Sequence, residues 1–382
     1  MKRELDIDAG RGLMLAWMTL THLPTAITPW VNQPFGYISA SEGFIFLSAL
    51  FTGRIYYRLL RRDGMPKMTA KLLWRTLKLY GYHVLLLFLA FGIAARYAFT
   101  SHGQGFYNLL DFYFAAGPAR AIRDALVLVY RPPLLDIVPL YIIFLLIAPG
   151  VIYAASRIGW KYILGASFAF WLAAQFGLRE GVYWVLTHYF GIGIPLNEMG
   201  AFNLWAWQLV WIVGIWCGVR WARGDFPIRE WARRTWIPAS VVLVLLLALR
   251  YRQQIYGLDF GHFAYFFDKW HLGAIRIIDF AAVSMVLVRF RSLVQAFATR
   301  PLVLMGQSSL PVFCTHFVFC FLGIALMGSA DRIYGWTQVP LIVGTFAALL
   351  LVAKIAARPE RPAPLNTVRE KGRSVHPAVA PQ

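Results

Sequence analysis

Arg11 and His22 close the two ends of the stretch Arg11-Gly-Leu-Met-Leu-Ala-Trp-Met-Thr-Leu-Thr-His22, eleven residues apart. In a helix, eleven steps of about 100° return to within about 20° of the starting direction, so both side chains share one face. The rise between them is about 16 Å. If that helix crosses a hydrocarbon core of about 30 Å, the arginine sits at one surface and the histidine about halfway through. One face then carries a fixed positive charge at the entrance and a titratable base in the interior. A snorkelling arginine and a histidine satisfied by a neighbouring helix would give the same pattern. The depth of His22 favours function, because a buried imidazole needs a partner or a task.

Other ionisable or amide groups fall inside apolar stretches. Glu42 opens the segment Ser39-Ala-Ser-Glu42-Gly-Phe-Ile-Phe-Leu-Ser48, and His83 follows Tyr80 and Tyr82. Asp136 begins a further apolar run, and Asn203 and Gln208 mark another. Arg276 and Asp279 are three apart and can pair along one helix face. His316 follows Leu310-Pro311, where the missing backbone N–H is expected to bend a helix. Each taken singly is as well explained by a structural hydrogen bond or ion pair. Together they suggest a polar pathway lined by several helices. The histidines lack acidic partners at ligand spacing, so no metal is expected.

These groups must be carried by membrane helices. The 382 residues are 59% hydrophobic and 14% charged, with a mean hydropathy of +0.57. Soluble domains carry about 25% charged residues, so this chain has too little polar surface to dissolve. Ten spans are expected, near 13–31, 36–57, 78–98, 134–155, 160–177, 203–221, 236–250, 273–289, 308–328 and 337–356. Their connections divide the basic residues unevenly: 27 of the 37 Lys and Arg fall on the side of the N-terminus and 10 on the other. Basic loops stay in the cytoplasm, so both termini are expected there. The net charge of +19 belongs to these loops, which argues against a nucleic-acid surface.

The fold class is therefore all-α and polytopic, with a membrane domain over 1–357 and a Pro- and charge-rich tail over 358–382 that is expected to be disordered. Residues 107–130 read as a helix lying on the membrane or a short further span. The basic start, Met1-Lys2-Arg3, is followed by acidic residues and no small-residue cleavage site, so the first segment is expected to be retained. Cys217, Cys314 and Cys320 all lie in apolar runs and read as packing residues. Aromatic residues on the far side, among them Tyr183, Trp184, Tyr189, Tyr265, Phe266, Phe267 and Trp270, suit either an interface belt or stacking on sugar rings.

The Arg11–His22 pair resembles the hallmark of the membrane acyltransferase-3 superfamily. The rest resembles one branch, the OpgC family, which succinylates osmoregulated periplasmic glucans. The matching blocks are Ala40-Ser-Glu-Gly-Phe-Ile-Phe-Leu-Ser48 with Gly53-Arg-Ile-Tyr56, Arg75-Thr-Leu-Lys-Leu-Tyr80 with His83, and Asp136-Ile-Val-Pro-Leu-Tyr-Ile-Ile143. Phe202-Asn-Leu-Trp-Ala-Trp-Gln208, and Pro301 to Phe313 with His316, complete the set. Ala49 departs from the family, which usually has glycine after Ser48.

The resemblance implies an acyl-CoA donor, succinyl-CoA in the family, with no permanently bound cofactor. It implies a glucan acceptor, a place in the bacterial inner membrane, and proximity to glucan-synthesis proteins. Arg11, Arg58, Arg61, Arg62 and Arg75 would hold the CoA phosphates, and His22 would act as general base on a sugar hydroxyl. Glu42 or Asp136 would orient His22 or the acceptor, and Ser48, His83 or His316 would stabilise the oxyanion. Asn203 and Gln208 complete the substrate-binding set. A transporter or flippase for an envelope glycan or acyl precursor, using the same charges as a relay, is the alternative, followed by a structural partner of a glucan synthase. The lack of paired Gly/Pro-broken spans in two halves argues against the commonest transporter plans.

Overall fold

The computed structural model describes residues 5–101, 104–226, 228–328 and 330–357. The tail over 358–382 and residues Met1 to Glu4 lie outside the described residues. Within them the chain is helical, with no strand beyond a single bridge between Thr25 and Ile333. The longer helices are α1 (Leu5–His22), α2 (Ala40–Leu87), α3 (Ile137–Ile158), α4 (Trp160–Gln175), α5 (Leu178–Phe190) and α6 (Leu204–Ala222). They continue as α7 (Ile228–Tyr256), α8 (Ala274–Arg289), α9 (Arg300–Gln307), α10 (Ser309–Met327) and α11 (Gln338–Ala356).

Among the described residues six helical stretches are long and apolar enough to cross a membrane: 40–100, 137–158, 196–222, 228–256, 309–327 and 335–356. The difference from ten has physical causes. The second and third expected spans fall in one of these stretches, 40–100, and are separated there by a kink at Gly64 (φ +83°, ψ 175°), a non-helical backbone conformation closed to most side chains. Helix α1 has 18 residues but carries Asp6, Asp8 and Arg11. Helices α4 and α8 have 16 residues each, shorter than the about 20 a bilayer asks for. Residues 104–126 form three helices of 6, 6 and 9 residues, none long enough to cross.

Helix α6 is central. It packs on α2, α3 and α4, and its Trp207 and Trp211 are fully buried. The departure at Ala49 is accommodated there, since its methyl group lies 2.6 Å from where a Cβ on Gly214 of α6 would be. Helix α1 lies between α2, α9 and α10. Its seat on α9 depends on two glycines: a Cβ on Gly12 would strike the Leu302 backbone carbonyl, and one on Gly306 would strike that of Asp8. Backbone cannot move aside as a flexible side chain can, so the two helices hold Arg11 at a fixed height.

Two buried contacts fix the start of α2. Arg276 of α8 donates to the Glu42 carboxylate, with all three groups of the cluster, Ser39 included, buried. Glu42 Oε2 also accepts from Ser39 N at 3.0 Å and Ser39 Oγ at 2.7 Å, forming a capping box at the start of α2. Asp279 accepts from Tyr37 N at 2.5 Å and Ile38 N at 3.2 Å. Arg276 and Asp279 thus each bond a partner on another segment.

Gly306→Ala is expected to lower stability by about 1–3 kcal/mol through overpacking. Gly165→Ala, where a Cβ would meet nothing within 4 Å, should leave the melting temperature unchanged or slightly raised. Thermal unfolding of the detergent-solubilised proteins compares the two directly. Equal melting temperatures would contradict the close α1–α9 seat.

Candidate functional site

Helices α1 and α10 run in the same direction, because Arg11 bonds Ser309 at the start of α10 while His22 bonds His316 two turns later. His22 Nδ1 lies 3.1 Å from His316 Nε2. His316 Nδ1 contacts the Phe313 carbonyl oxygen, one turn back on its own helix. A carbonyl only accepts, so His316 carries its proton on Nδ1. For two neutral rings the rest follows: His316 Nε2 accepts, His22 Nδ1 donates, and His22 Nε2 keeps a free lone pair. That nitrogen is an available base, and the ring is held in place by a second histidine rather than by a carboxylate.

A cavity of about 300 Å³ lies at the Arg11 end of α1. Arg11, Arg75, Ser48, Tyr141, Gln307 and Ser309 are among its lining residues. Arg75 donates to Tyr141 Oη at 2.8 Å and to Thr52 Oγ1 at 3.4 Å, while Arg11 Nε is buried with no hydrogen-bond partner. Among the described residues neither guanidinium has a carboxylate at ion-pair distance, although Asp8, one turn back on α1, lies within electrostatic range of Arg11. Two cations whose hydrogen bonds go to neutral groups make a receptor for an anion. Phe313 closes the inner wall, and its ring lies 5.0 Å from that of His316. The cavity therefore abuts the histidine pair.

The other residues expected at the site are distributed as follows. Glu42 is committed to Arg276 and Ser39, and Asp136 Oδ2 accepts from Ala201 N at 3.1 Å. Neither hydrogen-bonds His22, so its orientation falls to His316. His83 is fully buried, with Nε2 3.2 Å from the Ala125 carbonyl. Asn203 caps α6 by accepting from Trp205 N at 3.1 Å. Gln208 bonds Ser167 of α4, receiving its hydroxyl at 2.6 Å and donating to its carbonyl at 2.7 Å. Arg58 does not line the cavity. Of the three expected oxyanion donors only Ser48 does.

His22, His316 and Cys320 place one possible ligand atom each within 4.8 Å of one another. Such a set could hold a borderline cation such as zinc with an open position.

One residue escaped the sequence reading. Lys269 lies within electrostatic range of His22, Glu42 and Asp136. Burial pushes its ammonium below the ordinary lysine value. The only signal was a lone lysine within Phe266-Phe267-Asp268-Lys269-Trp270. Its loop is pinned by Trp207 Nε1, which donates to the Lys269 carbonyl at 3.2 Å, and by Trp171 Nε1, which donates to Leu272 O at 3.0 Å. Asp268 completes the clasp, accepting from His271 N at 2.8 Å and Nδ1 at 2.7 Å.

A chain that is helical throughout its described residues, with six membrane-length helices among them and a polar site in the bundle, is a multi-helix membrane protein. The sequence model of the OpgC protein family matches residues 3–361, nearly the whole chain, and the chain belongs to that family. No curated protein and no solved structure matches it.

The Lys269 loop makes a pH prediction. The Asp268 bond, with the Glu180 carboxylate 3.8 Å away, raises His271 above its ordinary 6.5 against the opposing effect of burial. A raised folded value means stabilisation that is full below about pH 6.5 and is lost as pH rises through the folded value. The melting-temperature gap between the wild type and His271→Gln should be widest near pH 6 and narrow by about pH 9. A gap that grows with pH would contradict this assignment.

Proposed function

We propose that this protein is a membrane O-acyltransferase that moves an acyl group, succinyl on the family resemblance, from cytoplasmic acyl-CoA to hydroxyls of a periplasmic glucan. The observation that carries the reading is the His22–His316 pair abutting a cavity with two guanidiniums that lack carboxylate partners. The proposed topology has ten spans and both termini in the cytoplasm of a bacterial inner membrane. The parallel course of α1 and α10, the first and ninth of those spans, agrees with it.

The donor's anionic portion is held by Arg11 and Arg75, and its thioester extends past Phe313 toward the histidines. A sugar hydroxyl arriving from the opposite side gives its proton to His22 Nε2 as its oxygen attacks the thioester carbonyl. The tetrahedral intermediate collapses to the ester, and the CoA thiolate leaves, taking up the proton from His22. His316 keeps the His22 ring in the tautomer that makes this possible, and the imidazolium's Nδ1–H remains bonded to it.

Loss of general-base catalysis costs about 10²–10⁴-fold in rate. His22→Ala should show that loss in release of free CoA from succinyl-CoA plus glucan, with membrane insertion intact. His316→Ala should lose less, and Arg75→Ala should mainly raise KM for the donor. An active His22→Ala enzyme would sink the mechanism. Activity should also survive exhaustive chelation; loss restored by zinc would turn His22 from base into metal ligand.

A further inference from the structure

A second cavity, of about 480 Å³, lies at the other end of α1 from the Arg11 cavity. Its walls come from the segment after α1 (Gln33, Tyr37), the end of α7 (Arg250, Gln253) and the loop carrying Lys269. Two cations thus face one space. Arg250 Nε is buried with no hydrogen-bond partner. Among the described residues neither Arg250 nor Lys269 forms an ion pair, the nearest aromatic contact of Lys269 being the Trp270 ring at 4.9 Å. The carboxylate in the lining, Asp268, is committed to His271. A ligand here gains by bringing negative charge.

The rest of the lining seeks hydroxyls. Gln33, Gln253 and His262 offer donors and acceptors, and Phe260 presents a ring beside them, itself stacked on Phe267 at 4.6 Å. Polar groups of this kind around an aromatic floor suit a sugar unit better than acyl chains. Lys269 also joins the cavity to the chemistry, being in electrostatic range of His22.

We propose that this cavity docks the acceptor, and that the acceptor is a carbohydrate already carrying a negatively charged substituent, phosphate or carboxylate, held between Arg250 and Lys269. The proposal rests on the acyl-transfer reading for the word acceptor. It also orders events: a reaction that attaches the charged group to the sugar must precede acylation at this site.

The test is calorimetric binding to the full-length protein in detergent at low salt, with three probes. These are a linear glucotetraose, the same tetrasaccharide bearing a 6-phosphate, and glycerol 3-phosphate as the polar part of a phospholipid. The phosphorylated sugar should bind about tenfold or more tightly than the neutral one. Arg250→Gln and Lys269→Gln should each erase that preference, while Arg250→Lys keeps most of it. Equal binding of the two sugars, or a preference untouched in either glutamine variant, would overturn the proposal. So would glycerol 3-phosphate binding as tightly as the phosphorylated sugar, which marks a lipid-headgroup site. Binding needs no turnover, so a failed base mechanism at His22 and a failed docking site give different results.

Discussion

A charge or an imidazole inside hydrocarbon has no water to turn to, so it must be partnered by protein or face a cavity. That constraint organises this structure. Where a partner of opposite charge or a backbone donor is at hand, it builds the frame: Arg276 against Glu42 and Ser39, and Asp279 against two backbone amides, lock α8, α2 and the segment between α1 and α2. Removing one member of such a pair leaves the other buried and uncompensated, which costs about 3–5 kcal/mol. Four further cations border cavities instead. Arg11 and Arg75 line one, and Arg250 and Lys269 the other.

Helix α1 connects the two. Its glycine seat on α9 sets the height of Arg11, and α10 alongside supplies a partner at each level: Ser309 for the arginine and His316 for the histidine. The break between α9 and α10 at Ser308 serves this arrangement, because it frees Ser309 to begin a helix beside α1. Membership of the OpgC family over residues 3–361 gives this arrangement a chemical setting in glucan modification.

The sequence made some of this legible and hid the rest for definite reasons. The shared face of Arg11 and His22 follows from helix periodicity alone, a local property. The apolar stretches marked the helices well, and among the described residues six of them also have membrane length. Helices α4 and α8 stop at 16 residues, and a non-helical glycine, Gly64, kinks the chain between the second and third expected spans. The partners were illegible because they are remote: His316 is 294 positions from His22, and Arg276 is 234 from Glu42. With no local pattern to announce either pairing, Glu42 stood as a candidate orienting group, although the packing of α8 commits it to a guanidinium. Lys269 was passed over because one lysine between aromatics looks like an interface residue until the loop is folded over the bundle.

The central claim is that one bundle joins a donor on one side of the membrane to an acceptor on the other through His22. Sealed proteoliposomes of uniform orientation test it most directly, with acyl-CoA confined to the face bearing Arg11 and glucan supplied only at the opposite face. The account predicts acylated glucan outside and an equal amount of free CoA inside, with no product when the two substrates are exchanged. Product formed only when both substrates share one compartment would contradict it.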